Sequence, residues 1–191
     1  MRKRVSPKES RSAAINAARE LLKTEGAAAV TLQAVARLVG RTHANLLHHF
    51  GTAAGLQRAL AEDIAQTVAT SIEGAIEQRR AGTGTELDVI DAMFEAFRRE
   101  GAGELIGWIA LTRQREALEP VIATIERIIR TMRALGDQRP VDRMTLSLTL
   151  LAIGDSLAGE EIARACGLDR EAVREVAAAQ IEGLAGSPLR A

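Results

Sequence analysis

The sequence predicts an all-α protein in which a three-helix head stands on a larger helical body. Three observations predict it. The hydrophobic content is 47%, and Ala, Leu, Ile and Val supply most of it; Ala and Leu are strong helix formers. Only four Pro interrupt the 191 residues. Apolar residues recur at three- and four-residue spacing, with Gly at most of the breaks.

The first helix is expected over about 10–24, with Ile15, Ala18 and Leu22 on one face and Leu21 beside them. Gly26 stops it. Thr31 caps a second helix over 32–39, whose apolar set is Leu32, Val35, Ala36 and Val39. Gly40 breaks it, and Thr42 caps a short third helix that ends near 50–51. Two short helices joined by a Gly-containing turn make the helix-turn-helix pattern.

The body begins near Thr52. A long helix to about residue 80 carries Leu56, Leu60, Ile64, Val68, Ile72 and Ile76 at four-residue spacing. Residues 85–100 place Leu87, Ile90, Phe94 and Phe97 together. Residues 104–115 form a short hydrophobic helix with Leu105, Ile106, Trp108, Ile109 and Leu111. The next helix, from about 119 to Gly136, aligns Val121, Ile125, Ile128 and Met132. Residues 140–166 are apolar on two faces: Met144, Leu148 and Leu151 on one, Leu146, Leu150, Ile153 and Leu157 on the other. Asp169 is the expected cap of a last helix with Val173, Val176, Ala177, Ile181 and Leu184. The tail from Gly186 is expected to fray. The domain boundary falls between residues 51 and 52, giving a head over 1–51 and a body over 52–191.

Charge divides along the same line. Residues 1–50 hold nine Lys or Arg against three Glu, a net of +6, so the other 141 residues sum to −6 in a chain of zero net charge. A basic head on an acidic body points to a polyanionic partner for the head.

On a wheel of about 100° per residue, Leu46 and Phe50 of the third helix point inward. Ala44 and His48 then point outward, flanked by Asn45 and Leu47, with His43 at the helix start. That surface is small and polar, suited to close approach in a DNA groove. Thr31 and Thr42 lie at helix N-termini, whose free N–H groups attract phosphate. Asn45 suits adenine; His43 and His48 can donate to phosphate or guanine.

The run Val30-Thr-Leu-Gln-Ala-Val-Ala-Arg-Leu-Val-Gly, followed by Arg41-Thr-His-Ala-Asn-Leu-Leu-His-His-Phe-Gly and Thr52-Ala-Ala-Gly-Leu, resembles the N-terminal signature of the TetR family of bacterial transcriptional regulators. The resemblance covers roughly residues 12–60. It departs from the family at three positions. The family has a Tyr where this chain has Leu47 and a Lys where it has Ala53, both phosphate contacts, and an apolar residue where it has Arg41. The resemblance therefore implies that Arg41 and the basic tail replace two backbone contacts. It also implies a homodimer whose last two long helices pair with their copies, a palindromic DNA operator, and release of that operator when a small molecule binds the body. The alternative is a helical dimer whose helix-turn-helix no longer binds DNA.

Candidate effector contacts in the body are Phe94, Phe97, Trp108, Met132 and Met144, which either line a cavity or form ordinary core. Asp155 and Ser156 are polar in an apolar helix, so they meet a ligand or bond to neighbouring helices. Arg113 and Arg115 either neutralise a ligand carboxylate or are solvated.

Other classes find little support. There is no Gly-rich phosphate loop or strand-turn-helix nucleophile, and the adjacent Glu160 and Glu161 diverge, so catalysis is not expected. His43 and His48 lie about 140° apart on the wheel, which argues against a metal site; no cofactor is expected. His49 reads as a partly buried packing residue. Cys166 is the single cysteine, so no intramolecular disulfide forms, and a lone thiol fits a reducing interior; a small buried side chain is expected there. The basic start of the chain has no apolar run behind it and no stretch is long enough to span a bilayer, so a cytoplasmic protein without a membrane partner is expected.

Overall fold

The computed structural model describes residues 6–186. Among them there are nine α-helices and two short 3-10 turns, with no strand. The charges at Arg2, Lys3 and Arg4, and the expected fraying beyond Gly186, lie outside the described residues.

The head comprises α1 (Pro7–Glu25), α2 (Leu32–Leu38) and α3 (His43–Phe50). Helix α1 starts at Pro7, three residues before its expected start, because a reciprocal cap fixes it there. The Glu9 N–H donates to Ser6 Oγ at 3.2 Å, the Ser6 N–H donates to the Glu9 carboxylate at 2.7 Å, and Pro7 occupies the first turn. Hydrogen bonding from the Ser6 backbone N–H, and then from its side chain, holds the Glu9 carboxyl below its ordinary pKa. Thr31 Oγ1 accepts from the Ala34 N–H at 3.1 Å, and Thr42 Oγ1 from the Asn45 N–H at 3.2 Å. Ala14, Ile15, Ala18, Leu21 and Leu22 of α1 close over Val35 and Leu46.

The body comprises α4 (Ala53–Arg80), α5 (Glu86–Glu100), α6 (Ala102–Leu111), α7 (Glu119–Ala134), α8 (Val141–Ala165) and α9 (Ala172–Gly186). Helix α4 runs from the head through the body and lies against α5 and α7, while α6 and α9 lie against α8. Gly103 and Gly107, one turn apart on α6, let it approach α8 closely. A Cβ on Gly103 would fall 2.4 Å from Ser156 Cβ, and one on Gly107 would fall 3.3 Å from Leu157. Helix α8 bends at Ala158, whose φ of −151° and ψ of 17° leave the helical region.

Several sequence expectations need correction. Leu87 is exposed rather than inward, because the first turn of α5 projects past the end of the buried stripe of α4, which stops at Ile76. The sixth helix ends at Leu111, not 115, and Leu111 is 83% exposed. The chain turns there: the Arg113 N–H reaches the Ala110 carbonyl at 3.2 Å and the Gln114 N–H the Ile109 carbonyl at 3.1 Å. This is the hydrogen-bond pattern that ends α7 at Gly136 and α8 at Gly167, here with Arg113 at φ 59° in place of glycine. Asp169 precedes a turn, and α9 begins only at Ala172. Val176 is exposed, on the side of α9 away from buried Ala177 and Ile181. Cys166 is exposed, since it ends α8 beyond the part that α6 covers.

The two faces of α8 fare differently. Met144 and Leu148 are buried, with Leu151 half-buried. On the other face Leu146 is 61% and Leu150 60% exposed, and Leu157 and Ile162 continue the stripe.

Candidate functional site

Helix α3 is held from beneath. Leu46 is 1% exposed and Phe50 9%. Full burial of a side chain of this size contributes about 1.5–3 kcal/mol, so the register of this eight-residue helix is fixed by packing as well as by its cap. Arg11 of α1 stacks its guanidinium 5.4 Å from the Phe50 ring centroid. His49 is half-buried with its ring edge-on to Phe50, 6.4 Å between centroids.

With those residues turned inward, Arg41, Thr42, His43, Ala44, Leu47 and His48 are all exposed, and Thr31 and Ala53 are exposed nearby. Asn45 is half-buried, and its Oδ1 is buried without a partner. Thr31 and Thr42 keep their hydroxyls on their own helix N-termini. The outward surface thus carries one guanidinium from Arg41, two imidazoles and only a methyl group at Ala44.

Among the described residues, two polar joints tie the head to the body besides the start of α4. Arg19 of α1 hydrogen-bonds the carboxylates of Asp63 on α4 and Glu100 on α5, and donates to Thr67 Oγ1 at 3.2 Å. Burial opposes the charge on Arg19, but the hydrogen bonds and fields of Asp63 and Glu100 outweigh it and raise its pKa above the ordinary value. Glu100 is itself buried, with Lys23 at 3.4 Å as a second cation. The second joint is on α6, where the Glu104 carboxylate accepts from the Ala27 N–H at 2.8 Å.

Between α4, α5, α6, α7 and α8 lies an apolar cavity of about 90 Å³. Of the effector candidates, Phe97, Met132 and Met144 line it. Phe94 is buried in the core away from it, and Trp108 is half-buried elsewhere. Arg113 and Arg115 are exposed beyond the end of α6. Asp155 faces a different neighbour: Arg170 donates to its carboxylate at 3.2 Å and to its backbone carbonyl at 3.1 Å. Ser156 Oγ donates back to the Ala152 carbonyl at 2.7 Å. Asp155 and Ser156 are therefore both satisfied within the chain. Ile64, Val68, Met93, Thr145 and Thr149 also line the cavity. The four-residue spacing of Ile64 and Val68 marks those two as inward, but residue type alone does not distinguish cavity wall from solid core.

An ion cluster borders the cavity at Glu86. Glu86, on its wall, accepts from Arg79 at 2.6 Å and from Arg139 at 2.8 Å. Arg139 also forks onto the Asp137 carboxylate, with contacts of 2.9 and 2.7 Å. Hydrogen bonds from Arg139 hold the Asp137 carboxyl below the usual aspartate range against the opposing effect of partial burial.

Among the described residues no three His, Cys, Asp or Glu side chains converge on a metal position. No helix among them is long and apolar enough to cross a membrane.

Comparison with known proteins agrees with this geometry. Residues 14–60 match the profile of the family described as bacterial regulatory proteins, tetR family. No curated protein sequence matches the chain. Among solved structures, the multidrug binding protein EbrR, complexed with imidazole, superposes with a TM-score of 0.70 at 18% identity, over 95% of this chain and 97% of that one. A transcriptional regulator from Rhodococcus sp. RHA1 gives 0.67 at 17% identity, over 91% and 95%. A TetR-family transcription regulator from Shewanella sp. PV-4 gives 0.57 at 16% identity, over 93% and 99%. Residues 14–60, which contain the anchored and outward-facing α3, therefore match the N-terminal module of the tetR family of bacterial regulatory proteins, and the chain as a whole shares the fold of these solved structures, a TetR-family regulator among them.

Proposed function

We propose that this chain is a ligand-responsive transcriptional regulator, acting as a repressor. In this reading a homodimer binds a palindromic operator through α3 and its flanks, and releases it when a small molecule enters the body. The head over residues 1–51 binds DNA; the body over 52–191 binds the effector and the second copy. The observation that carries the reading is the orientation of α3. Leu46 and Phe50 are buried while Arg41, Thr42, His43, Ala44, Leu47 and His48 form one exposed surface.

Each residue on that surface has a role in the proposal. His43 and Ala44, in the first turn of α3, enter the major groove, where the N-terminal residues of a recognition helix meet base edges. Asn45 reads a base after its amide turns, and His48 reaches phosphate or guanine. Leu47 contacts the deoxyribose–phosphate wall or a thymine methyl through apolar contact. Thr31 and Thr42 place helix N-termini against phosphates, and Arg41 adds a charged contact.

A second copy fits the exposed stripe of α8, Leu146, Leu150 and Leu157, together with Val176 of α9. Contiguous apolar surface of this kind marks an interaction site, and a two-fold dimer is what two half-sites about one DNA turn apart require.

The coupling follows from α6. It lines the cavity with Ala102, Leu105 and Ile106 and holds the head through Glu104. A ligand that widens the cavity moves α6, and Glu104 carries the movement to Ala27. A differential affinity of about 1–3 kcal/mol between the two head spacings makes a useful switch. EbrR is a multidrug binding protein of the same fold, which supports a small-molecule site in the body.

A mobility-shift titration on the DNA flanking the chain's own coding region tests the reading. The wild type retards that DNA, and Ala44→Glu, which sets a carboxylate against the groove without touching the core, weakens retardation at least about tenfold. Equal retardation by both proteins contradicts the role of α3. Absence of retardation with a dimer still present favours the reading in which exposed Leu47 and Ala53, in place of the family's phosphate contacts, leave a helix-turn-helix that no longer binds DNA.

A further inference from the structure

We infer that the cavity takes an uncharged, largely apolar molecule carrying a hydroxyl or carbonyl oxygen, which it holds through Thr145 and Thr149. This rests on the reading of the cavity as an effector site and adds the chemical class of the effector.

The wall carries a single charged side chain, Glu86, and that carboxylate already accepts from Arg79 at 2.6 Å and Arg139 at 2.8 Å. A ligand cation has to displace two guanidinium groups to reach it. A ligand anion finds no cation on the wall, since Arg113 and Arg115 stand outside. A buried charge left without a partner is strongly disfavoured, so either ion binds far more weakly than a neutral molecule of the same shape.

The oxygen is specified by three threonines. Thr145 and Thr149 stand one turn apart on α8, and Thr124 faces the cavity from α7. A helical threonine hydroxyl commonly donates to the carbonyl one turn back, as Thr67 does to Asp63 (3.0 Å), Thr70 to Gln66 (2.9 Å) and Thr112 to Trp108 (2.8 Å). No side-chain hydrogen bond among the described residues ties the hydroxyl of Thr124, Thr145 or Thr149. Each is left as both donor and acceptor in an apolar chamber.

Size is adjustable. A void of about 90 Å³ is smaller than a drug-sized ligand needs. Its walls include Met93, Met132 and Met144, whose unbranched thioethers change rotamer readily. The ligand gains its space by moving these side chains.

Isothermal titration of the full chain with 1-octanol, octanoate and octylammonium at neutral pH tests the inference. The wild type is expected to bind octanol at least about tenfold more tightly than either ion. Thr145→Val with Thr149→Val keeps the shape and is expected to lose about fivefold of the octanol affinity, whereas Thr149→Ser, which keeps a hydroxyl, retains most of it. Octanoate or octylammonium binding as tightly as octanol overturns the inference, as does equal loss in the Val and Ser variants. Failure to bind any of the three probes, by a protein that still retards its DNA, overturns it while leaving the regulator reading intact. Octanol binding by a protein that retards no DNA counts against the DNA reading alone.

Discussion

Two arginines show how the same residue type takes its meaning from its place. Arg41 is exposed between α2 and α3, beside the Thr42 cap, with no carboxylate partner among the described residues. Its charge is free for phosphate, and each phosphate contact contributes about 0.9 to the slope of log K against log salt. Arg41→Ala is therefore expected to reduce that slope by about one in a salt titration of DNA binding; an unchanged slope removes Arg41 from the contact set. Arg113 looks similar in the sequence, a cation next to a hydrophobic helix and so a candidate for a ligand carboxylate. The structure gives it a backbone task instead, at φ 59° in the turn that ends α6. A non-glycine residue in that conformation costs about 1 kcal/mol. Arg113→Gly is accordingly expected to raise stability by a few tenths to 1 kcal/mol in urea denaturation; a loss of stability would show that the side chain makes contacts of its own.

At the scale of elements, helix type and order were legible because 3.6-residue periodicity and Gly or Thr punctuation are local signals. Thr31 and Thr42 cap their helices as their positions imply, and Thr52 caps α4 in the same way. What periodicity does not contain is the shape of the neighbours. Leu87 and Leu111 keep the apolar spacing of their helices yet sit in terminal turns that overshoot the core. Phe94 and Phe97 are both buried on α5, but only Phe97 borders the void. Thr145 and Thr149 gave no signal, because threonine in a helix ordinarily bonds to its own backbone.

The ion cluster bordering the cavity is likewise a tertiary feature, joining the end of α4, the start of α5 and the α7–α8 turn. Its energetic contribution depends on pH. The Asp137 carboxyl is depressed by Arg139, so its ionised form is favoured in the folded state. A depressed carboxyl contributes stability above its unfolded pKa, about 3.9, and loses it as the pH falls through the lower folded value. Asp137→Asn is expected to lower the thermal midpoint at neutral pH by a difference that shrinks below about pH 4. A difference constant from pH 7 to pH 3 would show that the charge is not what matters.

For the whole molecule, the proposed assembly rests on the two faces of α8. One is spent inside the chain on Met144 and Leu148; the other leaves Leu146, Leu150 and Leu157 open. The amphipathic pattern made both faces legible, and only the fold shows which one the chain covers itself. Leu150→Glu places a charge at the centre of the open stripe and is expected to yield a monomer by light scattering, with DNA affinity reduced at least about a hundredfold because a single head reads a single half-site. A variant that remains dimeric places the interface elsewhere.

In the proposed complex α3 enters the major groove twice, once from each copy. Hydroxyl-radical and guanine-methylation footprinting of the retarded DNA measures this directly. Two protected half-sites related by a two-fold axis are expected, about one helical turn apart between centres, with guanine N7 shielded in each and the pattern abolished by Ala44→Glu. A single protected patch, or protection of the backbone with every guanine still reactive, would contradict that arrangement.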